Sequence, residues 1–216
     1  MRRNTTPLLA GAIVLAGCTY QVEYDADYVA DEPPTYIADA EIVVLMHPHD
    51  TEYVFQGSPT TTVGEFTTLT IPIGNIMQEI TAEVFSSCFS YGVVFTDELP
   101  SDMGFLVAIE PEIRNFTYAY DRVAIPANFD EEQRFSTTPR VEFELSVKAY
   151  DGQDETVLEK VYASGSVAGE SYEVTNRPYE RINATFHTAL QDIMLRVADD
   201  IRPLLVGQCE ITDFAG

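Results

Sequence analysis

Chemistry needs side chains that ionise, ligate or attack near neutral pH, and this 216-residue chain holds three histidines and three cysteines. His47-Pro48-His49-Asp50 sets two imidazoles and a carboxylate close together, the one stretch that resembles metal-ligand spacing. The intervening proline limits shared coordination, and a first-row metal wants a third, rigidly placed ligand. The remaining histidine, His187, stands far along the chain beside an apolar helical stripe. A solvated turn at 47–50 and a core-flanking role for His187 are the expectation, with no metal and no cofactor. Asp97-Glu98, Asp130-Glu131-Glu132 and Asp199-Asp200 would suit acid–base work as carboxylate pairs. With 35 acidic residues such neighbours arise by chance, so they read as solvated faces. Gly165-Ser166-Val167-Ala168-Gly169 has its serine one position away from a nucleophile elbow. No phosphate loop, H-E-x-x-H or dinucleotide glycine motif occurs, and Asp151-Gly152 lacks calcium-loop spacing. The chain therefore reads as a non-enzyme.

Charge narrows the partners. Twelve bases against 35 acids give a formal charge of -23, which repels a phosphate backbone, so nucleic acid is not an expected partner. Only Lys148 and Lys160 represent lysine, a balance that suits a salt-rich habitat.

The first 18 residues, MRRNTTPLLAGAIVLAGC, place Arg2 and Arg3 before an apolar run from Leu8 to Leu15, the layout of a secretory signal peptide. The run closes on Leu15-Ala16-Gly17-Cys18, which resembles the lipobox of bacterial lipoproteins. That resemblance implies a diacylglycerol on the sulfur of Cys18, cleavage of the bond before it and acylation of the new amine. The alternative is an ordinary secretory signal cut near a cysteine. One acyl chain binds reversibly, whereas several hold a protein in the membrane without a span. The expected membrane partner is thus reached through acyl chains on Cys18. Loss of Arg2 and Arg3 takes the charge from -23 to about -25, which anionic headgroups repel, so the body is expected to stand off the bilayer. Thr19, where retained lipoproteins of the resembling class carry Asp, favours the periplasmic face of the outer membrane.

With Cys18 set aside, Cys88 and Cys209 form an even pair in an oxidising compartment and are expected to make a disulfide. Such a bridge would close roughly 120 residues and contribute about 4 to 5 kcal/mol in the chain-entropy model. Two buried free thiols are the alternative, because Cys88 falls on the apolar face of a helix.

Three segments follow: a signal peptide at 1–17, a lipid-anchored acidic tether or extended arm at 18–35, and one α+β domain at 36–216. In the arm, Tyr20, Tyr24 and Tyr28 alternate with polar residues at strand period, so a tyrosine face packs at home or adds to a partner's sheet edge. Strands are expected at Glu41–Met46, Tyr53–Phe55, Glu65–Ile71, Val93–Phe95 and Phe105–Ile109. Pro72 opens a helix whose stripe runs Ile73, Ile76, Met77, Ile80, Val84, Cys88. Phe116, Tyr118 and Tyr120 continue the alternation, and Asp121 to Pro139 reads as a long polar loop. Val141 to Ala149 and Val157 to Val167 form a hairpin about Asp151-Gly152. Pro178 opens a second helix that stops at Pro203.

This order predicts an α+β fold, a mainly antiparallel sheet with two amphipathic helices on one face. The box, the hairpin and the closing Phe186, Leu190, Ile193, Val197 spacing resemble small envelope lipoproteins of the YajG and transport-auxiliary kind. That resemblance implies a non-enzymatic scaffold or accessory subunit of an envelope complex; the alternative is a lipid or small-solute carrier. Tyr20, Tyr24, Tyr28, Phe129 and Phe135 are the candidate contacts with an envelope protein partner, since aromatic anchors dominate interface energies.

Overall fold

A computed structural model describes residues 18–21, 40–99, 107–125, 134–173 and 178–206. The fold is α+β, with two long helices on one face of the main sheet. Its centre is a hairpin of two long strands, β6 (Val107–Ile125) and β7 (Arg134–Asp151), paired antiparallel from Val107↔Asp151 to Ile125↔Arg134. β2 (Ile42–Leu45) lies parallel to β6 on one side and to β5 (Val93–Thr96) on its other. β8 (Thr156–Ala163), β9 (Val167–Ala168) and β10 (Tyr172–Glu173) pair in turn along the far side of β7. A second, three-stranded sheet joins β1 (Cys18–Gln21), β4 (Thr67–Ile71) and β3 (Phe55–Gly57).

Alternation decides which face of β6 meets the helices. Val107, Ile109 and Ile113 are buried in odd phase, then Phe116, Tyr118 and Tyr120 in even phase. The switch is a bulge between Arg114 and Thr117, where Asn115 adopts φ +54° and its side-chain amide donates to Glu144 at 2.7 Å. One extra residue thereby keeps the aromatic half of the strand on the core side.

α2 (Ile73–Cys88) starts one residue after the expected first position, Pro72, which caps it instead, and it buries the expected stripe from Ile73 to Cys88. α3 (Pro178–Val206) lays Ile182, Phe186, Leu190, Ile193 and Val197 against the sheet. Phe186 meets the edges of Phe116 and Phe143 at centroid distances of 5.0 and 5.2 Å. The helix does not stop at Pro203. A proline so near the end removes one backbone bond, and the last turn persists because Ile201 and Leu205 are buried in the core.

Two close contacts set the helices. Gly74 approaches a short helix, α1 (Pro48–Thr51), so tightly that a Cβ would lie 2.0 Å from the Asp50 carbonyl oxygen. Asp200 of α3 accepts hydrogen bonds from Tyr162 (2.7 Å) and Lys160 (2.5 Å) of β8, which holds its carboxyl below the usual range.

Of the expected polar loop over 121–139, the described residues, 121–125 and 134–139, are strand. This distal ribbon escapes the sequence signal because its described side chains are mostly polar and only Thr137 and Pro139 among them are buried, so no apolar alternation marks it.

Two outcomes test this packing. Gly74→Ala should cost about 3 kcal/mol or more in urea unfolding, since the obstructing atoms are backbone. Asp200→Ala should cost about 1–2 kcal/mol at neutral pH by stranding the Tyr162 hydroxyl. Because the carboxyl pKa is lowered on folding, that contribution is present above the ordinary carboxylate value. The gap between variant and wild type should close as pH falls through the lowered one.

Candidate functional site

The end of the molecule where β1 begins is built on the aromatic half of β6. The Tyr118 hydroxyl lies 3.0 Å from the Gly57 carbonyl and 3.3 Å from that of Thr67, tying β3 and β4 to the main sheet. Burial pushes this phenol up to about 12. The Phe55 ring packs edge-on against Phe116 and Tyr118 at 4.9 and 6.1 Å. The 58–66 connection follows β6 outward: Thr60 N–H donates to the Tyr118 carbonyl at 2.9 Å, and the Thr61 hydroxyl exchanges bonds with the Tyr120 backbone.

β1 lies parallel to β4 with Cys18 opposite Thr67 and Tyr20 opposite Leu69. Tyr20 is half-buried and packs on the core, so the first part of the arm packs at home. Tyr24 and Tyr28 lie outside the described residues, as do Phe129 and Cys209. Cys88 is buried in the core, and in its reduced form burial, with Asp199 nearby, pushes the thiol up to about 11, which suits an inert side chain. Phe135 stands on the distal ribbon with the Arg122 guanidinium 3.8 Å over its ring.

His47, His49 and Asp50 gather more neighbours than their sequence spacing shows. The imidazoles stack at 5.5 Å, and each faces a different carboxylate: His47 lies 3.5 Å from Glu110, His49 3.2 Å from Asp50. Tyr150 donates to Glu110 at 2.5 Å, Lys148 approaches it at 3.9 Å, and Arg114 pairs with Glu112 and holds that carboxyl low. Burial raises Asp50, only partly offset by His49. These bases and acids are spent on one another. Among the described residues no group of three His, Cys, Asp or Glu side chains is placed to hold a metal ion. Sequence spacing alone missed Glu110, Glu112 and Tyr150 because β6 and β7 bring them from far along the chain.

The other acidic neighbours separate: Asp199 pairs with Arg202, Asp200 with Lys160, and Asp97-Glu98 lies in the turn after β5, while 130–132 fall outside the described residues. Shallow depressions of about 360 and 430 Å³ flank α3 beside Tyr162 and Val167. No helix among the described residues is long and apolar enough to cross a membrane.

No protein-family model matches the sequence, and no curated protein matches it. A crystal structure from Xanthomonas campestris, assigned to the family DUF330, matches 89% of this chain and 99% of its own with a TM-score of 0.51 at 10% identity. This chain shares the fold of that DUF330 protein. A Helicobacter pylori protein described by homology to a neuraminyllactose-binding hemagglutinin covers 84% of this chain and 95% of its own, at TM-score 0.44 and 9% identity. A hypothetical protein of Chlamydia trachomatis covers 79% and 99%, at TM-score 0.40 and 6% identity.

Asp50 gives this region a sign for its pH dependence. A carboxyl raised by burial contributes stability at low pH and loses it as pH rises through the raised value. Asp50→Asn should therefore raise the thermal midpoint at neutral pH, with the gain vanishing in acid below the ordinary carboxylate value.

Proposed function

We propose that this chain is a non-enzymatic, lipid-anchored protein of the bacterial cell envelope that serves as a scaffold or accessory subunit of an envelope complex. The observation that carries this reading is the run of Arg2-Arg3, apolar core and Leu15-Ala16-Gly17-Cys18 box ending on the residue where β1 begins. The fold shared with a DUF330 protein is compatible with it. Acyl chains on Cys18 supply the membrane partner, and Thr19 favours the periplasmic face of the outer membrane.

Docking to a protein partner fits better than carriage of a solute between helices and sheet. That space is filled by Phe85, Phe89, Phe143 and Phe186, all essentially without exposure. Tyr20 is committed to its own core, and the sheet edge at β8 offers a surface for a protein partner. There Val157 and Val161 are exposed beside unpaired strand backbone, the arrangement that accepts an added strand. The polar group around Glu110 neutralises itself and supports a structural role.

Labelled palmitate supplied to growing cells should enter the wild-type protein and be absent from Cys18→Ala, which should accumulate with its signal uncut. Equal labelling of the two, or labelling of neither, would remove the anchor from this reading.

A further inference from the structure

The expected arm would let the body hang away from the bilayer, but β1 starts at Cys18 itself and is hydrogen-bonded to β4 from its first residue. An anchor at that position has no slack. Phe66 directly precedes Thr67, the partner of Cys18. Strands lie about 4.8 Å apart and rise about 3.3 Å per residue, so the two Cα atoms sit roughly 6 Å from one another. Phe66 is 70% exposed, equalled only by Tyr91 among the exposed large apolar side chains of the described residues. Its position is fixed by a tight turn in which Thr67 N–H donates to the Gly64 carbonyl at 2.7 Å, with Gly64 at φ +77° against the Tyr120 ring.

The distal ribbon continues outward from Tyr120, whose ring lies against Gly64, two residues before Phe66. Residues 118, 120, 122 and 124 of β6 share one face by alternation, and Phe135 is the cross-strand partner of Ala124. The Arg122–Phe135 stack thus lies on the face that carries Tyr118 and the second sheet, to which β1 belongs. Arg122 faces no carboxylate among the described residues and lies over the ring alone. An arginine stacked on an aromatic, like an exposed phenylalanine, is the residue chemistry found where protein meets headgroups.

We propose that Phe66 and the Arg122–Phe135 pair form a bilayer-contacting rim around the acylated Cys18, which seats this end of the body on the lipid surface. The proposal rests on the reading of Cys18 as acylated. A bilayer is the occupant the geometry favours, because acyl chains at the neighbouring register position bring its surface to this corner. Aromatic rings take the apolar boundary, and the guanidinium takes the phosphate layer.

The chain contains no tryptophan, so one substitution gives a clean reporter. Full-length acylated Phe66→Trp, Phe135→Trp and Tyr91→Trp proteins would be reconstituted in vesicles of phosphatidylethanolamine and dibrominated phosphatidylcholine. Tyr91 lies next to the start of β2, at the Val107 end of β6, roughly 30 Å or more from Tyr118 at strand rise. At residues 66 and 135 indole emission should shift to the blue and fall about twofold, as expected for rings seated about 5–10 Å into the headgroup boundary. Emission at 91 should stay unchanged and remain open to aqueous iodide. Unquenched emission at 66 or at 135, in protein that carries labelled palmitate and floats with the vesicles, overturns the rim and leaves the anchor standing. Protein that neither takes up palmitate nor floats overturns the anchor reading, and the rim with it. Quenching at all three sites would overturn the orientation.

Discussion

A strand shows alternate residues to alternate faces, and β6 must keep one face apolar while it passes from the helices to the second sheet. The bulge at Asn115 and Phe116 meets this constraint by inserting one residue, so that Tyr118 and Tyr120 fall where Ile109 and Ile113 would otherwise have set the phase. Much of what lies beyond it follows. Without the phase change the Tyr118 hydroxyl would point to the open side of the sheet, and Gly57 and Thr67 would lose the group that ties them to the core. β4 would lose its support, and β1 its template. The placement of Cys18 is therefore decided by a backbone irregularity almost a hundred residues away.

The two layers of the body are joined by different physics. Between helices and main sheet the joint is apolar and aromatic, with Phe186 wedged between Phe116 and Phe143. Between the sheets it is a mixture of ring edges and backbone bonds along the 58–66 connection. On the open face, residues that looked like isolated acids and histidines form a mutually compensating set around Glu110. Burial of Asp50 is a cost that the fold carries because α1 must sit under Gly74.

The helices and the strands with one wet face were legible in the sequence, because period 3.6 from Ile73 to Cys88 and period 2 from Val141 to Ala149 are direct prints of burial. The second sheet was only half legible. Thr67 to Ile71 reads as a strand, but nothing local says that it pairs in parallel with residues some fifty positions earlier, since parallel partners carry no turn between them. The ribbon beyond Tyr120 was read as loop for the opposite reason: its buried positions, Thr137 and Pro139, are a hydroxyl residue and a proline, so no apolar alternation betrays it. The polar network was illegible because its members meet only through the register of β6 with β7 and the end of β2. For Cys18 the reading came from the residues around it, and the structure adds the direction in which β1 runs from it.

That direction has a mechanical side. β1 runs inward from Cys18 alongside β4. Tension on the sulfur along the strand axis would load the bonded pairs from Cys18 to Gln21 together, in shear, instead of opening them one after another as a zipper. The same four residues would peel away readily if drawn sideways.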